Sequence, residues 1–352
     1  MVKLHILPNP CGITSPKYTF DPFNIAVHKF IKNMKGYGWD MIHYGHENSD
    51  VDCEHVTVLT KEDRPIPQND QDIIWKKNEV IEKFNFRTSI EVAGRKAPND
   101  LLLNFYGEEC KYTMNFNSEL RSVEPSIGYN TDCVFATYRG FTSYSQMHYF
   151  YGRRNMLTNP SWYDQVIPNA FTVSEFDFAE KTDDVYGMMG RLGNDKGVGL
   201  AMEITKHTGK KLLIAGPKEH FFEWNDTVPD HVTLLGYLNR EERRKFLSSI
   251  KALIAPSHYL EPFGNMVVEA ALSGTPSITS DWGGFAETVI DGVTGYRCND
   301  FRGFVDAINN IDRINRMTCR DNAIQKYSDK VVHEKFDRWL SKIVTSDFYD
   351  VR

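Results

Sequence analysis

Apolar runs of strand length alternate with helical patterns along this 352-residue chain, and they fall into two sets. No other feature restricts the fold as strongly, because strands separated by helices pair in parallel and need cover on both faces. The first set reads as a strand at Lys3–Leu7, a helix near Ile25–Met34 and strands at Trp39–Tyr44 and His55–Leu59. A helix around Ile73–Phe84 and a strand at Asp100–Tyr106 follow, with Asp132–Thr137 as a further candidate strand. In the second set, strands are expected at Tyr186–Gly190, Lys211–Ala215, Val232–Leu235, Ala252–Ala255 and Pro276–Thr279. Helices are expected there at Val198–His207, Arg240–Ser248, Met266–Ser273 and Phe304–Ile311. Between the sets, the turn Val166-Ile-Pro-Asn-Ala-Phe171 and the acid-rich stretch Glu175–Asp184 read as a linker. The pattern predicts an α/β chain of two doubly wound parallel-sheet domains, 1–168 and 169–326, facing a central ligand cleft. Val331, Phe336, Trp339, Leu340 and Ile343 have the spacing of an amphipathic helix, so 327–352 is expected to cross back to the first domain.

Bulk properties remove several classes of function. Apolar residues make up 41% and charged residues 25%, as in soluble globular proteins. The net charge of −6 is spread evenly, without a basic tail, which disfavours a nucleic-acid partner while leaving a local basic groove open. Six scattered cysteines form no C-x-x-C pair and no zinc spacing, so they are expected as reduced thiols in a cytoplasmic protein. No H-E-x-x-H motif occurs, and no metal site is expected. No stretch approaches membrane-spanning length, and Lys3–Leu7 is too short for a signal segment.

The nonapeptide Glu261-Pro-Phe-Gly-Asn-Met-Val-Val-Glu269 lies where a buried strand gives way to a helix that opens near Gly264 or Asn265. Such a junction leaves backbone N–H groups and the positive end of a helix dipole available to an anion. Two flanking carboxylates repel a phosphate but accept hydrogen bonds from hydroxyls on either side of one. The combination fits a sugar–diphosphate–ribose ligand. A second phosphate signal is Gly190-Arg-Leu-Gly-Asn-Asp-Lys-Gly197, which follows a strand and opens a helix. Arg191 and Lys196 can converge there on one anion; the alternative is a surface loop with two solvated cations.

Taken together, Glu261-x7-Glu269, Gly190-Arg-Leu-x3-Lys-Gly197, Ile167-Pro-Asn169 and Asp281-Trp-Gly-Gly-Phe-Ala-Glu287 resemble the retaining glycosyltransferases of family 4, which have the two-Rossmann GT-B fold. The resemblance is strongest over 166–330. It implies that Glu261 binds donor-sugar hydroxyls, Glu269 the ribose, and Arg191 and Lys196 the diphosphate, so that Arg191, Lys196 and Glu261 form the catalytic set. It further implies that Gly190 and the amides of Phe263, Gly264, Asn265 and Met266 help hold the phosphates. Tyr237 and Leu238 then meet the nucleobase through main chain, and the loop Asn9-Pro-Cys-Gly12 brings Gly12 over the donor. Many relatives carry a histidine after the strand corresponding to Leu101–Tyr106, where this chain has Gly107-Glu108-Glu109. The acceptor-side candidates are therefore Glu108, Glu109 and His148, the last being more often a packed helix residue.

The implied reaction is metal-independent, front-face transfer of a sugar from a UDP- or GDP-sugar co-substrate, with no other cofactor, to a hydroxyl of a glycan or glycolipid. One alternative is glycosylation of hydroxymethylated bases in viral DNA, for which Lys76, Lys77, Arg87, Arg95, Lys96, Arg153 and Arg154 would have to form a basic groove. A lipid acceptor calls for an amphipathic face, of which His28–Lys35 carries a modest version. A different class is a non-catalytic nucleotide-sugar binder.

Overall fold

Residues 2–18, 21–67 and 77–345 are described by the computed structural model. They fall into two units: unit 1 comprises Met1–Thr142, Met147–Pro168 and Val332–Arg352, and unit 2 comprises Ser143–Gln146 and Asn169–Val331.

Unit 1 holds β1 (Lys3–Leu7), β2 (Asp40–His46), β3 (Glu54–Leu59), β4 (Leu101–Asn104), β5 (Arg121–Ile127), β6 (Tyr138–Phe141) and β7 (Gln165–Val166). They form one parallel sheet of order β3-β2-β1-β4-β5-β6-β7. Every residue of β4 is buried, as a central strand covered on both faces requires. Helices α1 (Pro22–Met34), α2 (Asn78–Arg95), α3 (Lys111–Phe116) and α4 (Tyr144–Arg153) occupy the connections. α1 opens on Pro22 after Asp21, whose carboxylate accepts the N–H groups of Phe23 and Asn24. The expected helix around Ile73–Phe84 instead begins, among the described residues, at Asn78 and runs to Arg95; Ile73–Lys76 lie outside them.

Asp132–Thr137 is not a strand. Thr131–Cys133 is a 3-10 turn, and the N–H groups of Phe135 and Ala136 go to the buried carboxylate of Glu124, both at 3.1 Å. Amides given to a side chain are lost to a ladder. Glu124 sits on β5, a strand hidden from pattern reading by its own Glu124-Pro125. Burial raises the Glu124 pKa to about 7.

Beside β2, the buried His43 ring reaches Thr14 Oγ1 through Nε2 (2.9 Å) and His55 Nδ1 through its own Nδ1 (2.9 Å). Two facing ring nitrogens share one proton, and burial followed by His55 holds His43 well below the ordinary histidine range. The folded state therefore keeps His43 neutral, whereas the unfolded chain takes up a proton below about pH 6.5. Stability from this group is full above that value and is lost as pH falls below it. His43→Gln is expected to flatten the fall of the thermal midpoint between pH 7 and 5; an unchanged slope against wild type contradicts this.

Unit 2 holds β8 (Val185–Met189), β9 (Lys211–Ala215), β10 (Val232–Gly236), β11 (Ala252–Ala255), β12 (Ser277–Ser280) and β13 (Gly295–Cys298), parallel and in the order β10-β9-β8-β11-β12-β13. The sheet carries α5 (Val198–His207), α6 (Lys218–Phe222), α7 (Arg240–Ser249), α8 (Asn265–Leu272), α9 (Phe285–Thr288), α10 (Phe301–Asn310) and α11 (Arg316–Tyr327). In both units the strand order reverses at the first strand, β1 lying between β2 and β4 and β8 between β9 and β11, which makes a switch point at their carboxyl ends. The acid-rich stretch after Phe171 is not a free linker. Phe176 is buried in the unit 2 core, Glu175 pairs with Arg240, and Asp177 pairs with Arg244.

The last helix, α12 (Asp329–Thr345), contributes its residues from Val332 onward to unit 1. Phe336 packs edge-on against Phe30 at 5.4 Å, and the Trp339 indole donates to the Tyr163 carbonyl at 3.0 Å. Arg121 donates to the carbonyls of Ile343 and Val344, satisfying two of the four that a helix end leaves open.

Candidate functional site

Two loops at the carboxyl ends of β8 and β11 meet in unit 2. The β8 loop turns through Gly190 (φ 136°) and a 3-10 turn at Asn194–Lys196, and it enters α5 through Gly197 at φ 73°. No side chain fits at Gly197, because a Cβ there would run into the Pro256 carbonyl. The β11 loop is tied to it by backbone: the N–H groups of His258 and Tyr259 both donate to the Asp195 carbonyl, at 2.8 and 3.1 Å. Ser257 Oγ adds bonds to the Asp195 carbonyl (3.2 Å) and to Glu261 Oε1 (3.4 Å).

Two of the three residues expected to be catalytic, Lys196 and Glu261, are brought together there. Lys196 Nζ forms an ion pair with Glu261 Oε1, and both side chains are largely shielded from solvent. The same ammonium sits 4.5 Å from the Tyr259 ring centre. Arg191 is more exposed and pairs with Asp195. An exposed pair of that kind contributes little stability, so a diphosphate can draw the guanidinium away.

Directly after Glu261, the chain turns through Gly264 (φ 88°) into α8, whose first turn has no side-chain cap. The helix opens at Asn265, close in sequence to Glu261, and its first amides and dipole are left open to an anion. Glu269 lies one turn into α8, well shielded, with Arg243 of α7 at 3.6 Å. Gly283 and Gly284 clamp the loop from the β12 side, where the Gly284 N–H donates to the Glu261 carbonyl at 2.6 Å. A Cβ on Gly284 would lie 2.6 Å from Phe263 Cα, and backbone gives way less readily than a side-chain tip. Gly284→Ala is expected to cost about 1–3 kcal/mol in denaturant unfolding, the range of overpacked cores. A neutral result would show that the loop tolerates displacement.

Sequence patterns gave no hint of Ser257, Tyr259, Asp195 or Arg243 as partners, because each acts through a contact distant in sequence. Tyr237 and Leu238 follow the positive-φ Gly236 at the end of β10, whose carbonyl accepts the Gly216 N–H at 2.9 Å. Glu287 has an unanticipated role: its carboxylate accepts the N–H groups of Tyr144 (3.0 Å) and Ser145 (2.8 Å), the opening residues of α4, which belong with Glu287 to unit 2.

The remaining candidates lie in unit 1. Gly12 closes a turn on the Asn9 carbonyl, and a side chain there would strike Asp21 and Asn24. Glu108 is exposed and Glu109 half-buried, on a 3-10 turn at Gly107–Cys110. His148 is exposed on α4 rather than packed. The cations considered for a basic groove are largely neutralised: Arg87 pairs with Asp63, Arg95 with Glu54 and Glu91, Lys96 with Glu119, and Arg153 with Asp132. Arg154 donates to the carbonyls of Thr131, Asp132 and Val134, Lys77 is exposed, and Lys76 lies outside the described residues. The apolar face of His28–Lys35 is spent on the core, where Phe30, Ile31 and Met34 are buried. Among the described residues no group of three or more His, Cys, Asp or Glu could hold a metal ion, and no helix is long and apolar enough to cross a membrane.

A cavity of about 520 Å³ opens at the β8 loop, lined by Arg191, Gly193, Asn194, Asp195, His220, Glu223, Trp224 and His258. The paired glutamates are not part of its wall.

Residues 172–326 match the family model described as "Glycosyl transferases group 1". A glycogen synthase of Mycobacterium tuberculosis is 36% identical over 135 residues, covering 35% of this chain and 32% of that protein. The chain thus matches about a third of that relative's length. Among solved structures, a sucrose-phosphate synthase from Thermosynechococcus elongatus aligns over 99% of this chain and 100% of its own, with TM-score 0.72 and 17% identity. Anabaena HepE in complex with UDP and glucose aligns over 97% and 99%, with TM-score 0.68 and 15% identity. The fold is GT-B, and within it residues 172–326 are similar to the group 1 glycosyl transferases.

Proposed function

We propose that this chain is a glycosyltransferase that moves a sugar from a nucleotide-diphosphate donor to a hydroxyl, with retention at the anomeric carbon. The observation that carries the reading is the shielded Lys196–Glu261 pair, a cation against a hydroxyl acceptor, followed closely in the chain by the uncapped start of α8. The match of residues 172–326 to group 1 glycosyl transferases and the fold shared with a UDP- and glucose-bound protein support it, and they favour UDP as the donor base.

In this reading the diphosphate lies on the α8 N-terminus between Lys196 and Arg191. Glu261 accepts hydroxyls of the sugar, and Glu269 accepts those of the ribose. The bond from the anomeric carbon to the phosphate oxygen breaks, and a bond to the acceptor oxygen forms on the same face. The acceptor proton passes to the departing phosphate oxygen. Charge on the leaving group is met by fixed cations and amides, which supply the stabilisation without a metal. The acceptor is a glycan or glycolipid; the pairing of Arg87, Arg95, Lys96 and Arg153 with carboxylates weighs against duplex DNA.

A thermal-shift series over UDP-, GDP- and ADP-sugars tests the reading. A matched donor at about 100 times its Kd adds about 2.7 kcal/mol and raises the midpoint. A series in which none raises it would overturn the proposal. Binding with no release of nucleoside diphosphate would identify a non-catalytic binder.

A further inference from the structure

The 520 Å³ cavity at the β8 loop shares only Arg191 with the groups assigned to the transfer just described, and its size lies within the roughly 300–1,000 Å³ typical of small-ligand sites. Its most prominent wall is Trp224, which is 60% exposed. The turn that carries it is held by its backbone: Phe221, fully buried, anchors the end of α6, and its carbonyl accepts the Trp224 backbone N–H (3.2 Å) and the Asn225 side-chain amide (3.0 Å). A large aromatic face kept in solvent on a fixed turn offers binding area with little ordering to lose on contact.

Around that face stand hydroxyl-binding groups: the carboxylates of Asp195 and Glu223, the Asn194 amide and the rings of His220 and His258. His220 Nδ1 is enclosed without a hydrogen-bond partner, an arrangement that a bound hydroxyl would relieve as the ring turns. Beyond Arg191, which the diphosphate claims in the transfer reading, the wall carries the carboxylates of Asp195 and Glu223, and that charge argues against a second anion. A neutral ring with an apolar C–H face and a rim of hydroxyls satisfies both the indole and the acids.

We infer that this cavity is a saccharide subsite, in which Trp224 stacks on a neutral hexopyranose unit while Glu223, Asp195 and Asn194 hold its hydroxyls. Resting on the sugar-transfer reading, the occupant is a sugar unit of the acceptor, since Glu261 is assigned to the sugar of the donor.

The test uses the full chain labelled with 5-fluorotryptophan, the Trp224 resonance being assigned by W224F. It is titrated with the methyl α-glycosides of glucose, mannose and galactose and with maltotriose, in the presence and absence of the donor found by thermal shift. At least one saccharide is expected to move the Trp224 resonance with a Kd of about 1–10 mM. W224A should weaken that binding about tenfold or more, with W224F within about threefold, while nucleotide-sugar binding is unchanged. Because Trp224 is exposed, the truncation is expected to leave the fold intact, and the donor thermal shift verifies this. If donor binds and no saccharide moves Trp224, the subsite is wrong and the transfer reading stands. If glucose 6-phosphate or uridine moves it in preference to the neutral sugars, the cavity is an anion or base site, and the inference is overturned. If saccharides move it and no nucleotide sugar binds, the subsite stands and the transfer reading falls.

Discussion

Lys196→Ala is expected to lower sugar-transfer turnover by about 10²–10³, the loss seen when one preorganised charge contact to a developing anion is removed. In the proposed reaction Lys196 is the cation for the departing diphosphate, shielded, paired with Glu261 and held over Tyr259. Destabilisation is expected alongside the catalytic loss. Removing one member of a shielded ion pair leaves the Glu261 carboxylate unpaired, a defect that costs about 3–5 kcal/mol when the pair is buried. The two effects separate in the double variant Lys196→Ala/Glu261→Gln. It should recover most of the lost stability in denaturant unfolding and none of the turnover. If the double variant turns over as fast as Glu261→Gln alone, the role of Lys196 is structural.

Glu261→Gln should produce the opposite asymmetry. In the resting protein Glu261 neutralises Lys196, so a diphosphate has to compete with a carboxylate for the ammonium. The amide removes that competition. Free UDP is expected to bind about tenfold more tightly, equivalent to about 1.4 kcal/mol, while turnover of the nucleotide sugar falls about 10²-fold because the sugar hydroxyls lose an ionised acceptor. Tighter UDP with slower transfer is the signature of a residue that serves the sugar and not the phosphate. Weaker binding of both ligands would assign Glu261 to loop architecture, through its bonds to Ser257 and Gly284.

The fold was legible wherever strands are apolar throughout. Lys3–Leu7, Lys211–Ala215 and Ala252–Ala255 appear at their expected limits, because central strands of a parallel sheet are buried on both faces and read as continuous runs. Strands with polar interiors were not legible. β5 carries Glu124 and Pro125, and β13 is Gly295-Tyr-Arg-Cys298, so neither shows an apolar period. The Asp132–Thr137 segment has the composition of a strand, but its amides serve Glu124, a partner no local window contains. The candidate site follows the same logic. Gly264, Lys196 and both glutamates stand out because a strand-to-helix junction has a short-range signature, whereas Tyr259 over Lys196 and the Gly283-Gly284 clamp exist only once β8, β11 and β12 lie side by side.

Release of nucleoside diphosphate from UDP-, GDP- and ADP-hexoses, compared between the wild-type chain and Lys196→Ala, tests the central claim most directly. Wild type should release the diphosphate from one donor class, faster when a sugar acceptor is added, and Lys196→Ala should release it about 10²–10³ times more slowly. Equal rates in the two proteins, or no release from any donor by wild type, would contradict the account.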